Sequence, residues 1–293
     1  MQLITGKQAK PRRILLYGQH GIGKSSWAAS ARGAVFIDTE GGLGDIDCQH
    51  FQQCYSLGDV RESMVAAENV PGIRWLIIDS LDWLETLIWA DVCAKNNVDS
   101  IEKVGGGYGK GYTMALAVWD KILTHLDGMR SKGIGVIFLA HAKVSRFEDP
   151  AGPSYDRYEP SLHQKAAAAV MEWCDEVLFA RTRVAVVKED MGFNKERGMA
   201  RGGKDRLILT NESAAAIAKN RLRLPDELPL EWSAYAQYLP DPSQIVASAK
   251  PQQQPAQQPV TEPGAVSEMN EFFGGDIEGI VTDGSSKKQT QPA

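Results

Sequence analysis

Long apolar runs, an excess of positive charge and a cysteine framework are all missing from this chain of 293 residues. No stretch approaches the roughly 18 uninterrupted apolar residues of a membrane span, and the N-terminus lacks a signal-peptide core. No membrane association is therefore expected, and a cytoplasmic location is. The four cysteines, Cys48, Cys54, Cys93 and Cys174, are scattered, which suits free thiols in a reducing compartment. Cys48, His50 and Cys54 lie close together, but their spacing matches no standard zinc pattern. A formal net charge of −5 argues against a uniformly basic nucleic-acid surface. It does not exclude a local basic patch on a neutral core. No internal repeat is present at solenoid periods.

What is present changes character after about residue 240. Residues 242–263 are rich in Gln, Pro, Ala and Ser and lack apolar periodicity, so they read as a flexible linker. Beyond them, Glu268-Met269-Asn270-Glu271-Phe272-Phe273 is either incidental or a short docking motif. The expected division is one folded domain over 1–240 and a flexible Pro/Gln-rich, acidic tail over 241–293. Within the first part, apolar strand signals fall at 14–17, 34–38, 75–79, 134–140 and 176–181. Helical stretches fall at 24–32, 60–69, 80–96, 113–131 and 161–174. This alternation predicts an α/β fold, a mainly parallel central sheet with helices on both faces. Residues 184–189 and 206–210 flank a Gly- and Lys/Arg-rich segment and read as a hairpin at the sheet edge. That segment, 188–204, includes Lys188, Lys195, Arg197, Arg201 and Lys204; it is either a solvated tip or a contact for phosphates.

The sharpest signal is Gly18-Gln19-His20-Gly21-Ile22-Gly23-Lys24-Ser25, a GxxxxGKS loop between an apolar strand and a helix. Glycines there let backbone N–H groups turn inward around phosphate oxygens at the positive end of the helix. Lys24 would reach the β/γ-phosphates and Ser25 would hold Mg²⁺. Residues Gly18 to Gly23, with Lys24, Ser25 and Ser26, form the expected nucleotide-binding set.

Three further strand ends point to the same crevice. Val35-Phe36-Ile37-Asp38-Thr39-Glu40 ends in two carboxylates, which either cap the following turn or, for Glu40, activate water beside a γ-phosphate. Trp75-Leu76-Ile77-Ile78-Asp79 is a Walker B arrangement, placing Asp79 as the second support for Mg²⁺. Gly135 to Ala140 delivers His141, a candidate γ-phosphate sensor. Two polar connections, 104–112 and 142–160, leave that edge. Lys110, Tyr112, Lys143, Arg146 and Arg157 on them mix cations with rings, as single-stranded nucleic acid requires. Glu148, Asp149, Asp156 and Glu159 lie among them, so a subunit-contact loop fits the composition equally.

In order and content these pieces resemble the RecA-type recombinase core. More closely, residues 10–235 resemble phage ATP-binding single-strand annealing proteins. The matching stretches are the phosphate loop, GKGYT at 109–113, FEDPAGPSYDRYEPSLHQKAAA at 147–168, VKEDMGF at 187–193 and KNRLRLPDELPL at 219–230. The resemblance implies ATP and Mg²⁺ as cofactors, with Lys24, Glu40, Asp79 and His141 as the catalytic set. It also implies ATP-dependent action on single-stranded DNA in phage recombination with a single-strand binding protein as partner; a homo-oligomer is left open. His141 stands where RecA proteins carry glutamine. The first strand begins near Ile14, so no N-terminal oligomerisation domain of the RecA kind is expected ahead of it. Two other functions stay open, a nucleotide-gated scaffold and a small-molecule kinase.

Overall fold

In the computed structural model, which describes residues 9–150, 152–190 and 196–240, the apolar runs form the strands of one sheet. The chain order is β1 (Arg13–Gly18), α1 (Lys24–Ala29), β2 (Ala34–Asp38), β3 (Gln49–His50), α2 (Leu57–Ala67), β4 (Trp75–Asp79) and α3 (Leu81–Lys95). It continues with a short 3-10 segment (Ile101–Gly106), α4 (Lys110–Ser131), β5 (Gly135–Phe147), β6 (Tyr155–Pro160) and α5 (Gln164–Trp173). It closes with β7 (Glu176–Asp190), β8 (Glu196–Leu209), β9 (Glu227–Pro229) and α6 (Trp232–Ala236). Across the sheet the strands run β3-β2-β4-β5-β1-β7-β8-β9. From β3 to β7 every pairing is parallel, and β7–β8 and β8–β9 are antiparallel.

Strands covered on both faces need no polar alternation, which is why β1 reads as an unbroken apolar run. Ile14 and Leu16, with Phe36, Ile77, Ile137, Leu139 and Leu178, join Trp27 and Ala28 of α1 and Tyr235 of α6 in one buried layer. Their alternate neighbours, such as Leu15, Tyr17 and Phe138, are equally buried and face the other way because side chains alternate along a strand. There Phe138 stacks on Trp173 of α5 at 5.3 Å. Helices thus cover both faces of the sheet.

At the end opposite the phosphate loop, Arg13 and Arg130 pair with Asp175, and Arg12 pairs with the fully buried Glu176. Tyr235 donates a hydrogen bond to Glu176 as well. The start of β7 is thereby tied to β1 and α4.

Three sequence expectations are corrected. Residues 142–160 are not an open loop: β5 continues to Phe147 and pairs antiparallel with β6. The side chains of this hairpin are mostly polar and only partly buried, so the strand signal there is weak. Residues 104–112 are not a free glycine loop either, because Lys110 and Tyr112 already belong to the first turn of α4. Gly111 packs so closely that a Cβ built on it would lie 2.0 Å from the Ile101 carbonyl oxygen. The expected edge hairpin exists, but its first strand is a continuation of β7, and β9 rather than the hairpin forms the margin. The described residues form one compact unit. The proposed tail, 241–293, and the side chains of Lys188, Lys195, Arg197, Arg201 and Lys204 lie outside what is described.

Candidate functional site

The site forms where parallel strands end, beginning with the turn after β1. Gly18 is required by close approach, since a Cβ there would sit 2.4 Å from the Ala180 carbonyl oxygen. Gly21 and Gly23 adopt φ values of 69° and 105°, the left-handed region that glycine enters without steric cost. The chain thereby wraps and delivers Lys24 and Ser25 into the first turn of α1. Lys24 is buried, and its ammonium donates to the carbonyls of Gly18 and Gln19 at 3.3 and 3.1 Å. Burial lowers its pKa, while Asp79, Asp82 and Glu40 pull the other way.

The ends of β2 and β4 are laced together. Thr39 donates from its backbone to the Asp79 carbonyl and from its hydroxyl to the Ser80 carbonyl, both at 2.8 Å. Asp38 Oδ1 accepts the N–H groups of Glu40 and Gly41. Of the two carboxylates, Asp38 is therefore the turn cap and Glu40 the one presented to the crevice. The Ser80 hydroxyl donates to Glu40 Oε2 at 3.1 Å and steadies it.

Ser25 Oγ donates to Asp79 Oδ2 at 2.6 Å. The hydroxyl and the carboxylate meet at one point and both are hard oxygen donors, the kind of pair that would suit Mg²⁺. These residues fit the ion. Burial pushes the Asp79 carboxyl up to about 6, opposed by the Ser25 hydrogen bond, with Glu40 raising it further and Lys24 lowering it.

His141 is fixed by a residue that sequence reasoning missed. Asp82 Oδ1 accepts the His141 backbone N–H at 3.1 Å, and Oδ2 lies 2.8 Å from the ring Nδ1. A carboxylate only accepts, so Nδ1 carries the proton and Nε2 is turned to the crevice, 3.8 Å from Glu40 Oε1. Burial alone would raise the Asp82 carboxyl, but its bonds to His141 outweigh burial and hold it below the usual carboxylate range. His20 stacks on His141 with centroids 3.6 Å apart, and donor atoms of His20, Glu40 and His141 all lie within 4.8 Å of one another. Asp82 was legible only as an acid in the first turn of α3.

A cavity of about 290 Å³ is lined by His20, Gly21, Gly23, Lys24, Ser25 and Ser26 together with Glu40, Asp79 and His141. All four expected catalytic residues and most of the expected nucleotide set thus share one hollow. Gly18 and Gln19 do not line it, and Ile22 turns its side chain into the core. Lys110, Tyr112, Lys143, Arg146 and Arg157 do not line it. Tyr112 stacks on His163 at 4.0 Å. On the β5–β6 hairpin, Lys143 pairs with Glu159 and Arg146 with Asp156, while Arg157 reaches Glu212 and covers the Phe147 ring.

A phosphate loop between strand and helix, a carboxylate opposed to its serine and a parallel sheet covered by helices define a P-loop NTPase core, in line with the resemblance to the RecA type. A family model described as AAA domain (AAA_24) matches residues 10–222, and the chain belongs to that family. A curated relative, the SPbeta prophage-derived uncharacterized protein YorG of Bacillus subtilis (strain 168), is 25% identical over 181 residues. The match covers 60% of this chain and 52% of that protein, so the chain spans about half the length of the curated relative it matches. Among solved structures, the KaiC-like protein PH0186 from Pyrococcus horikoshii OT3 is 13% identical, with a TM-score of 0.38 over 76% of this chain and 87% of that one. Among the described residues, no helix is long and apolar enough to cross a membrane.

Proposed function

We propose that the chain is a Mg²⁺-dependent ATPase that binds single-stranded DNA and promotes annealing or strand pairing in phage recombination. One observation carries the hydrolytic part: Lys24, Ser25, Glu40, Asp79 and His141 line a single cavity. Lys24 and the loop amides bind the β- and γ-phosphates. Ser25 and Asp79 would hold Mg²⁺, which would supply positive charge to neutralise the phosphates. Glu40, steadied by Ser80, orients and deprotonates the attacking water. His141, locked by Asp82, turns Nε2 toward the terminal phosphate.

The DNA part rests on the resemblance and on one topological fact. His141 and the hairpin carrying Lys143, Arg146 and Arg157 belong to the same strand, β5, with its partner β6, so nucleotide state and hairpin share a rigid element. The prophage origin of YorG supports the phage setting. A single-strand binding protein reached through the tail, and self-association, belong to the same proposal. The ion pairs of the hairpin favour a second reading, a nucleotide-switched scaffold, because they neutralise its charge.

An ATPase assay with and without single-stranded DNA over a salt series tests the choice. Stimulation that fades steeply with salt is expected, because bound phosphates release counterions. DNA-independent turnover with no DNA retained contradicts DNA action and leaves the scaffold.

A further inference from the structure

The phosphate cavity has a larger neighbour. A second hollow of about 930 Å³ runs along α1 on the side of β8, β9 and α6, and the two share Gly23 and Ser26. Glu40, Asp79 and His141 line only the smaller one. The terminal phosphate is thereby assigned to that end, and the rest of the nucleotide leaves past Ser26. Gly23, Ser26, Trp27 and Ser30 are spaced to share one face of a helix, so the second hollow follows α1 away from the phosphates.

Its walls carry the chemistry of a nucleoside. Arg206 bonds the Ile22 carbonyl through Nη1 at 3.0 Å, which sets a guanidinium at the junction of the two hollows. Asp205 contributes an acceptor for sugar hydroxyls or a base amino group. Half-buried Trp232 contributes an indole, braced by the Trp27 ring at 4.8 Å and the Trp75 ring at 5.4 Å. A braced aromatic at a cavity wall gives stacking area with little ordering cost.

We propose that this hollow is the nucleoside subsite, with a purine base against Trp232, the sugar along the Ser26–Ser30 face and Arg206 at the α-phosphate. This deepens the ATPase reading and rests on the phosphate loop as the triphosphate site. The Pro229–Ser233 wall lies beyond residue 222, where the family match ends. Base selection is therefore built by this chain's own C-terminal segment.

Calorimetry with Mg-ATP and with Mg-tripolyphosphate, which has no nucleoside, separates the two hollows. Trp232→Ala and the cavity-filling Ser30→Phe are compared with the native chain. Each variant should weaken ATP by about tenfold or more, in the range that base–aromatic stacking provides, and leave tripolyphosphate within about twofold. Ser30 is exposed at the end of α1, so Ser30→Phe decides the matter if Trp232→Ala fails to fold. Unchanged ATP affinity, parallel loss of both ligands, or native tripolyphosphate binding as tight as ATP overturns the subsite. A native chain that binds neither ligand overturns the triphosphate reading itself.

Discussion

Glu85 gives a stability prediction whose size follows from its surroundings. It lies on α3 one turn beyond Asp82 and is only 5% exposed. Its Oε2 accepts the His163 N–H at 2.8 Å, but Oε1 is buried with no hydrogen-bond partner. Burial pushes this carboxyl up from 4.5 to about 7, the His163 hydrogen bond and Lys143 opposing it. Below pH 4.5 the group is protonated in both folded and unfolded chains and contributes no pH dependence. Between 4.5 and 7 the folded chain keeps a proton that the unfolded chain has released. Stability therefore falls as pH rises through that window and levels off above it, by roughly 3 kcal/mol in all. Glu85→Gln removes the titration while its amide oxygen still accepts the His163 N–H. Urea unfolding of both chains from pH 4.5 to 8 should show the variant gaining roughly 3 kcal/mol relative to the native protein. Parallel curves across that range would refute the buried carboxylate as a source of strain.

The site makes further demands. Lys24→Ala should abolish nucleotide binding in calorimetry; tight retention of ATP would contradict the phosphate loop. Asp82→Asn loosens the His141 ring, and turnover should fall by about 10-fold to 100-fold while ATP affinity holds; lost affinity at unchanged turnover would contradict the positioning role. Gly18→Ala drives a methyl into the Ala180 carbonyl and should lower unfolding free energy by about 1–3 kcal/mol, read from the urea midpoint; an unshifted midpoint would show that the strands part without cost.

The parts of this site that were legible in the sequence are those whose signal is local. The phosphate loop declares itself within eight residues, and β1, β2 and β4 are contiguous apolar runs because both faces of the sheet are covered. Asp79 was found because it closes such a run, and Glu40 because it follows one by two residues. Other parts depend on contacts between segments far apart in the chain. Asp82 and Ser80 matter through His141 and Glu40, yet in sequence they are an ordinary first-turn acid and a helix-capping serine. Arg206 reaches Ile22 across 184 positions, and Trp232 gains its role only when α6 packs on α1. The β5–β6 hairpin escaped because its mostly polar, half-buried side chains form no apolar run.

Release of inorganic phosphate by Glu40→Gln, set beside its affinity for ATP, tests the central claim most directly. With the water-activating carboxylate gone and the phosphate cradle intact, turnover should drop by about 10²–10⁴-fold at near-native ATP affinity. Native turnover in that variant would contradict hydrolysis at this crevice by the residues that line it.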